Sequence, residues 1–205
     1  MTQPAAAPPR PPTAAYDSRE TPGPIISRRH RTKNSLPAAA RREVCALLAQ
    51  RLADGIDLQT QCKQAHWNVK GPQFAALHAL FDQVADAAGE YTDLIAERIV
   101  QLGGVAEGTA RVVAARTTLL DYPLGLATGE QHVAALSDAL GQFGRTVRMG
   151  VQEMDALQDA VAADILTEVS RGVDKWLWMV ESHQHGGAAD PDAGDDDDAG
   201  DEAGS

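Results

Sequence analysis

Aromatic residues make up only 4% of the 205-residue chain, and cysteine occurs twice, at Cys45 and Cys62. Few aromatics beside 43% hydrophobic residues, many of them alanine, argue against a β-sandwich and favour packed helices. The cysteines stand 17 residues apart within one helical stretch, about 25 Å along a helix axis, which excludes an intrachain disulfide between them. A reducing compartment fits that usage. No apolar run approaches the roughly 20 residues that a membrane span needs, and the opening MTQPAAAPPRPP lacks the apolar centre of a signal peptide. The expectation is a soluble cytoplasmic protein with no membrane partner. An excess of base is also missing: the formal charge of −11 argues against a generally basic nucleic-acid binder.

That charge is unevenly spread. Residues 1–35 carry six bases (Arg10, Arg19, Arg28, Arg29, Arg31, Lys33) against Asp17 and Glu20, whereas residues 186–205 carry eight carboxylates and no base. Both stretches lack an apolar period, so they read as a flexible basic, proline-rich arm and a disordered acidic tail. Residues 36–185 between them form the one folded domain.

Within that domain the apolar period predicts four long helices. The first opens near Ser35 and runs to about Trp67, with Val44, Leu48, Leu52, Ile56 and Gln59 on one stripe and Leu47, Leu58 and Cys62 beside it. Asn68 to Gly71 break it, and Pro72 suits the first turn of the second helix. That helix carries Phe74, Leu77, Phe81, Val84, Ala88, Tyr91, Ile95 and Leu102 and stops at Gly103-Gly104. A long connection over 105–127 follows, with a short helix expected near Thr117–Asp121. The third helix starts near Thr128 and reaches about Leu157. The fourth runs from about Asp159 to His183 with Ile165, Leu166, Val169, Val173, Trp176 and Val180 as its apolar set. Two helix pairs joined by one long crossover form an all-α, ferritin-like four-helix bundle.

The second helix carries the chemistry. His78 and Asp82 are four residues apart, as are Asp93 and Glu97, and eleven residues separate Asp82 from Asp93. Both pairs therefore share one stripe, about 16 Å apart along the axis, too far for a single site whose ligands bind at roughly 2.0–2.2 Å. The midpoint of 78 and 97 is 87.5, and so is that of 82 and 93. A second copy of the helix, antiparallel across a two-fold axis at that point, brings His78 and Asp82 of one chain to Asp93 and Glu97 of the other. Ala85, Ala87, Ala88 and Gly89 at the crossing are small enough for close approach. His66 lies six residues before Pro72 and His78 six after it, so a hairpin bent near Gly71 sets the two imidazoles at one height. Two imidazoles and three carboxylates suit Fe(II), Mn(II) or Zn(II).

The segment HWNVKGPQFAALHALFDQVADAAGEYTDLIAER (His66–Arg98), with ILTEVSRGVDKWLWMVESH (Ile165–His183), resembles the Dps family of miniferritins. The resemblance spans about residues 36–185. It implies a homododecameric hollow shell that binds Fe(II) at two-fold interfaces and oxidises it, with hydrogen peroxide or oxygen as oxidant, and stores ferric mineral, which protects DNA from oxidative damage. The family's ferroxidase ligands fall on His66, His78, Asp82, Asp93 and Glu97, and Trp67 takes the place of its tryptophan beside the site. Glu-x-x-His, the mark of an intra-bundle di-iron site, is absent.

Asp159, Asp164 and Glu168, with Asp155 a weaker candidate, resemble the family's acidic three-fold pore; the alternative is that they complement the dipole at a helix start. Arg28, Arg29, Arg31 and Lys33 form a candidate DNA arm whose weak contacts a twelve-fold shell would multiply, giving a nucleoid-associated protein; solvated disorder is the other reading. The acidic tail is either a cation collector or a solubilising segment. His183 and His185 either bind metal weakly or are simply exposed, and His30 and His132 support no assignment. Trp176 reads as core and Trp178 as a subunit contact. Two rivals remain: a nucleoid-structuring protein whose metal site only cements the dimer, and an oxygen-activating di-iron enzyme without a shell.

Overall fold

The computed structural model describes residues 30–184. Arg28, Arg29, His185 and the acidic tail lie outside the described residues. The fold is all helical: α1 (Ala38–Asn68), α2 (Phe74–Gln101), α3 (Ala110–Arg116), α4 (Gly129–Ala156) and α5 (Ala160–Glu181). Helices α1 and α2 form one antiparallel hairpin and α4 and α5 the other, and the crossover between them carries α3.

Local chemistry sets the boundaries. Helix α4 begins with a capping box: the Thr128 hydroxyl accepts from the Gln131 N–H, and the Gln131 side chain accepts from the Thr128 N–H. Helix α5 is capped by the Asp159 carboxylate, which accepts from the Ala162 N–H at 3.0 Å. Helix α2 ends where Gly103 adopts a φ of +83°, a conformation that costs glycine little. At that end His30 donates its N–H to the Gly103 carbonyl at 2.8 Å, so the last residues before α1 lie against the hairpin.

The core is a single cluster drawn from all four long helices, with Leu48, Leu58, Leu77, Phe81, Ile95, Leu136, Phe143, Met154 and Leu166 fully enclosed. Three expectations change. The short crossover helix lies at Ala110–Arg116 rather than Thr117–Asp121. Residues 117–120 are instead held in an extended passage: Asp54, fully buried, accepts from the Thr118 N–H at 2.7 Å, and Gln142 donates to the Thr118 carbonyl at 2.6 Å. Phe74, placed in the apolar set of the second helix, is 46% exposed because it occupies the first turn, beyond the reach of the core. Pro72 precedes α2 by two residues instead of sitting in its first turn.

Candidate metal centre

The α1–α2 hairpin brings His66 and His78 face to face. Their rings stack with centroids 3.7 Å apart and planes inclined by 22°. His66 Nδ1 donates to the His78 carbonyl at 2.7 Å, and His78 Nδ1 donates to the His66 carbonyl at 2.8 Å. A carbonyl oxygen can only accept, so each Nδ1 carries a proton, and in the neutral ring that tautomer leaves the lone pair on Nε2, the form that ligates metals. The backbone thus fixes tautomer and ring orientation together. Neither contact exists without the hairpin.

Asp82 completes the group on this chain. One of its oxygens lies 3.7 Å from His66 Nδ1, and the same oxygen accepts from the Lys63 ammonium. That bond holds the Asp82 carboxyl below the ordinary carboxylate range, with His66 and His78 adding to the effect, and it raises the pKa of Lys63. Lys63 escaped the sequence reading. The available signal was its position three residues before His66, which puts both on one face of α1.

Asp93 and Glu97 are exposed on α2, about three turns beyond Asp82 along the helix axis. Among the described residues of one chain, no group of three or more histidine, cysteine or acidic side chains is close enough to hold a metal ion. The small residues expected at the helix crossing divide. Ala85 and Ala88 are buried in the chain's own core, because at 100° per residue they rotate away from the line through His78, Asp82, Asp93 and Glu97. Asp86 and Gly89 lie on that line instead, and Asp86 is exposed. Trp67 is also largely exposed beside His66.

The matched family model is the ferritin-like domain, over residues 45–186. The chain is 42% identical over 154 residues to the DNA protection during starvation protein of Agrobacterium fabrum, covering 75% of this chain and 95% of that one. It belongs to the Dps miniferritins. The solved structure of DpsA14 from Streptomyces coelicolor superposes with a TM-score of 0.73 at 32% identity, covering 80% of this chain and 98% of that one. Dps from Mycobacterium smegmatis gives a TM-score of 0.72 at 30% identity, covering 75% and 94%. Membership in the Dps family carries iron storage and DNA protection as the general role.

The acidic residues at the start of α5 behave differently from one another in this Dps chain. Asp164 and Glu168 are exposed, as is Asp155 at the end of α4. Asp159 is only 3% exposed, and besides capping α5 it accepts from the Arg98 guanidinium. A carboxylate enclosed between a helix start and a buried arginine cannot line a channel, so Asp159 leaves the pore set for a structural role. Arg31 and Lys33 of the candidate DNA arm are exposed. Trp176 is half-buried against the core, whereas Trp178 is 67% exposed. Among the described residues, no helix is long and apolar enough to cross a membrane.

Proposed function

We propose that this Dps protein is a ferroxidase whose site is split between two copies of the chain: His66, His78 and Asp82 of one, and Asp93 and Glu97 of the other. The observation that carries the reading is the reciprocal histidine lock, which commits both Nδ1 atoms to main-chain carbonyls and leaves Nε2 of each neutral ring as the nitrogen able to meet a metal. The matched spacing of Asp93 and Glu97 about residue 87.5 supplies the partner's carboxylates across a two-fold axis.

Fe(II) is the substrate. Imidazoles accept it, and the carboxylates favour the harder Fe(III) product. Two Fe(II) ions deliver one electron each to hydrogen peroxide, which takes two protons and leaves as two waters; oxygen is the alternative acceptor. The ammonium of Lys63 already holds one Asp82 oxygen, so a ferrous ion that takes that oxygen displaces it. Ferric product passes to a cavity enclosed by a dodecameric shell, with Asp164 and Glu168 as the acids of a cation entry. Removing Fe(II) together with peroxide is the protective chemistry, and the name DNA protection during starvation protein of the Agrobacterium fabrum relative accords with it.

The test is Fe(II) oxidation by peroxide in wild type and in the double variant His78→Ala, Asp82→Ala, with particle mass measured in parallel. An intact shell with strongly reduced oxidation is the expected result. Unchanged turnover in an intact shell would leave only a structural role for the site, and a stable dimer would remove the cage.

A further inference from the structure

Displacing Lys63 from Asp82 leaves an ammonium to be placed, and the chain offers a second carboxylate for it. Asp86 stands one turn beyond Asp82 on α2, on the same exposed line, about 5–6 Å away between Cβ atoms. It is exposed and, among the described residues, carries no hydrogen bond or ion pair of its own. The bond to Asp82, and after it the charge of Asp86, raise the pKa of Lys63, so Asp86 already acts on the ammonium while Asp82 holds it. A flexible four-carbon stem carries that ammonium, and a swing of one helical turn lies within its reach.

The two helices run close enough here to keep Lys63 over that line. Gln59, one turn before Lys63 on α1, covers Gly89 so closely that a Cβ on the glycine would stand 2.7 Å from the amide nitrogen. In the two-fold pairing proposed for the site, residues whose numbers share the midpoint 87.5 face each other, and 86 and 89 share it. Asp82 then faces Asp93 of the other copy, a carboxylate that the iron needs. Asp86 faces Gly89, which brings no side chain to compete for the ammonium. Within one turn of Asp82 on that face of α2, Asp86 is the acid that the split site leaves unused.

We propose that Asp86 is the positioning residue that receives Lys63 when a ferrous ion takes Asp82, so that the ammonium alternates between two carboxylates one turn apart. A dication at Asp82 repels the ammonium, and Asp86 lets it move away without losing its counter-charge. Once ferric ion has left, the ammonium returns to Asp82 and closes the site again. The inference rests on the split ferroxidase reading. Asp86 acts through Lys63 and does not touch iron.

Anaerobic titration of the intact assembly with Co(II), which takes the same ligands without being oxidised, tests it. Wild type, Asp86→Asn, Lys63→Met and the double variant are compared, with particle mass measured for each. Direct attraction between Asp86 and the metal is present with or without the lysine, so it cancels in the comparison. Asp86→Asn should weaken Co(II) binding about two- to fivefold more in wild type than in the Lys63→Met background, the worth of an exposed ion pair. A crystal structure of the Co(II)-loaded wild type should place the Lys63 ammonium on Asp86, and it decides the matter even if Asp86→Asn fails to assemble. Equal losses in the two backgrounds, or an ammonium still on Asp82 or turned to solvent in the loaded crystal, would overturn the inference and leave the ferroxidase reading standing. Wild type that binds no Co(II), or binds it away from His66 and His78, would overturn that reading and this inference with it.

Discussion

His66 and His78 hold each other through the main chain: each ring donates to the other's carbonyl, at 2.7 and 2.8 Å, while the rings stack. Removing either side chain removes a ligand and the ring stacked on its neighbour, while the main-chain carbonyl that accepts from the remaining imidazole stays in place. We expect His78→Ala to weaken ferrous binding by at least roughly 10–100-fold, the usual range for losing a residue that orients a ligand. Anaerobic titration with Fe(II) or Co(II) would measure it. Retained affinity would show that the stacked pair does not face the metal.

Lys63 is the competitor at Asp82. Lys63→Met keeps most of the apolar stem and removes the charge. The variant should bind ferrous ion more tightly at neutral pH, with weaker dependence on ionic strength. Isothermal titration at two salt concentrations checks both parts. Weaker binding in Lys63→Met would mean that the ammonium assists the metal rather than opposing it.

Asp159 and its former companions separate cleanly. Arg98 is 7% exposed, so Asp159→Ala strands a buried guanidinium and uncaps α5, at a cost of about 3–5 kcal/mol. Asp164→Asn and Glu168→Gln should leave the thermal midpoint nearly unchanged and slow iron entry, seen as a longer delay before ferric absorbance rises. A stability loss in the second pair equal to that in the first would undo this division.

The sign of the pH response follows from His132. Its folded pKa is depressed below 6.5 by burial. Above that value both folded and unfolded forms are neutral and nothing is lost. As pH falls below it, the unfolded chain takes up a proton that the folded chain refuses, so stability declines until the folded pKa is passed. Thermal midpoints should fall between pH 7 and pH 5, and His132→Gln should flatten that slope. An unaltered slope in the variant would assign the acid sensitivity to other groups.

Gly172 tests the α2–α5 contact. A Cβ there would stand 2.0 Å from the Tyr91 hydroxyl and 2.5 Å from its Cζ. The ring is half-buried and cannot swing aside freely, so Gly172→Ala should destabilise the bundle by about 1–3 kcal/mol. Chemical denaturation gives the number, and Tyr91→Phe in the same background should recover part of it.

The helical class was legible in the chain alone, because alanine-rich segments with a 3.6-residue apolar period bury their stripes by packing as helices. So were the hairpin and its consequence, since six residues on either side of Pro72 oblige His66 and His78 to meet. How groups distant in the chain pair emerged only once the helices were packed. Lys63 and Asp82 are separated by 19 residues, Arg98 and Asp159 by 61, and Tyr122 and His132 meet across an irregular crossover that has no period to read. Helical spacing reports which side chains share a face of one element. It carries no record of which face another element covers, and so Asp159 looked like a surface acid until Arg98 was found enclosed against it.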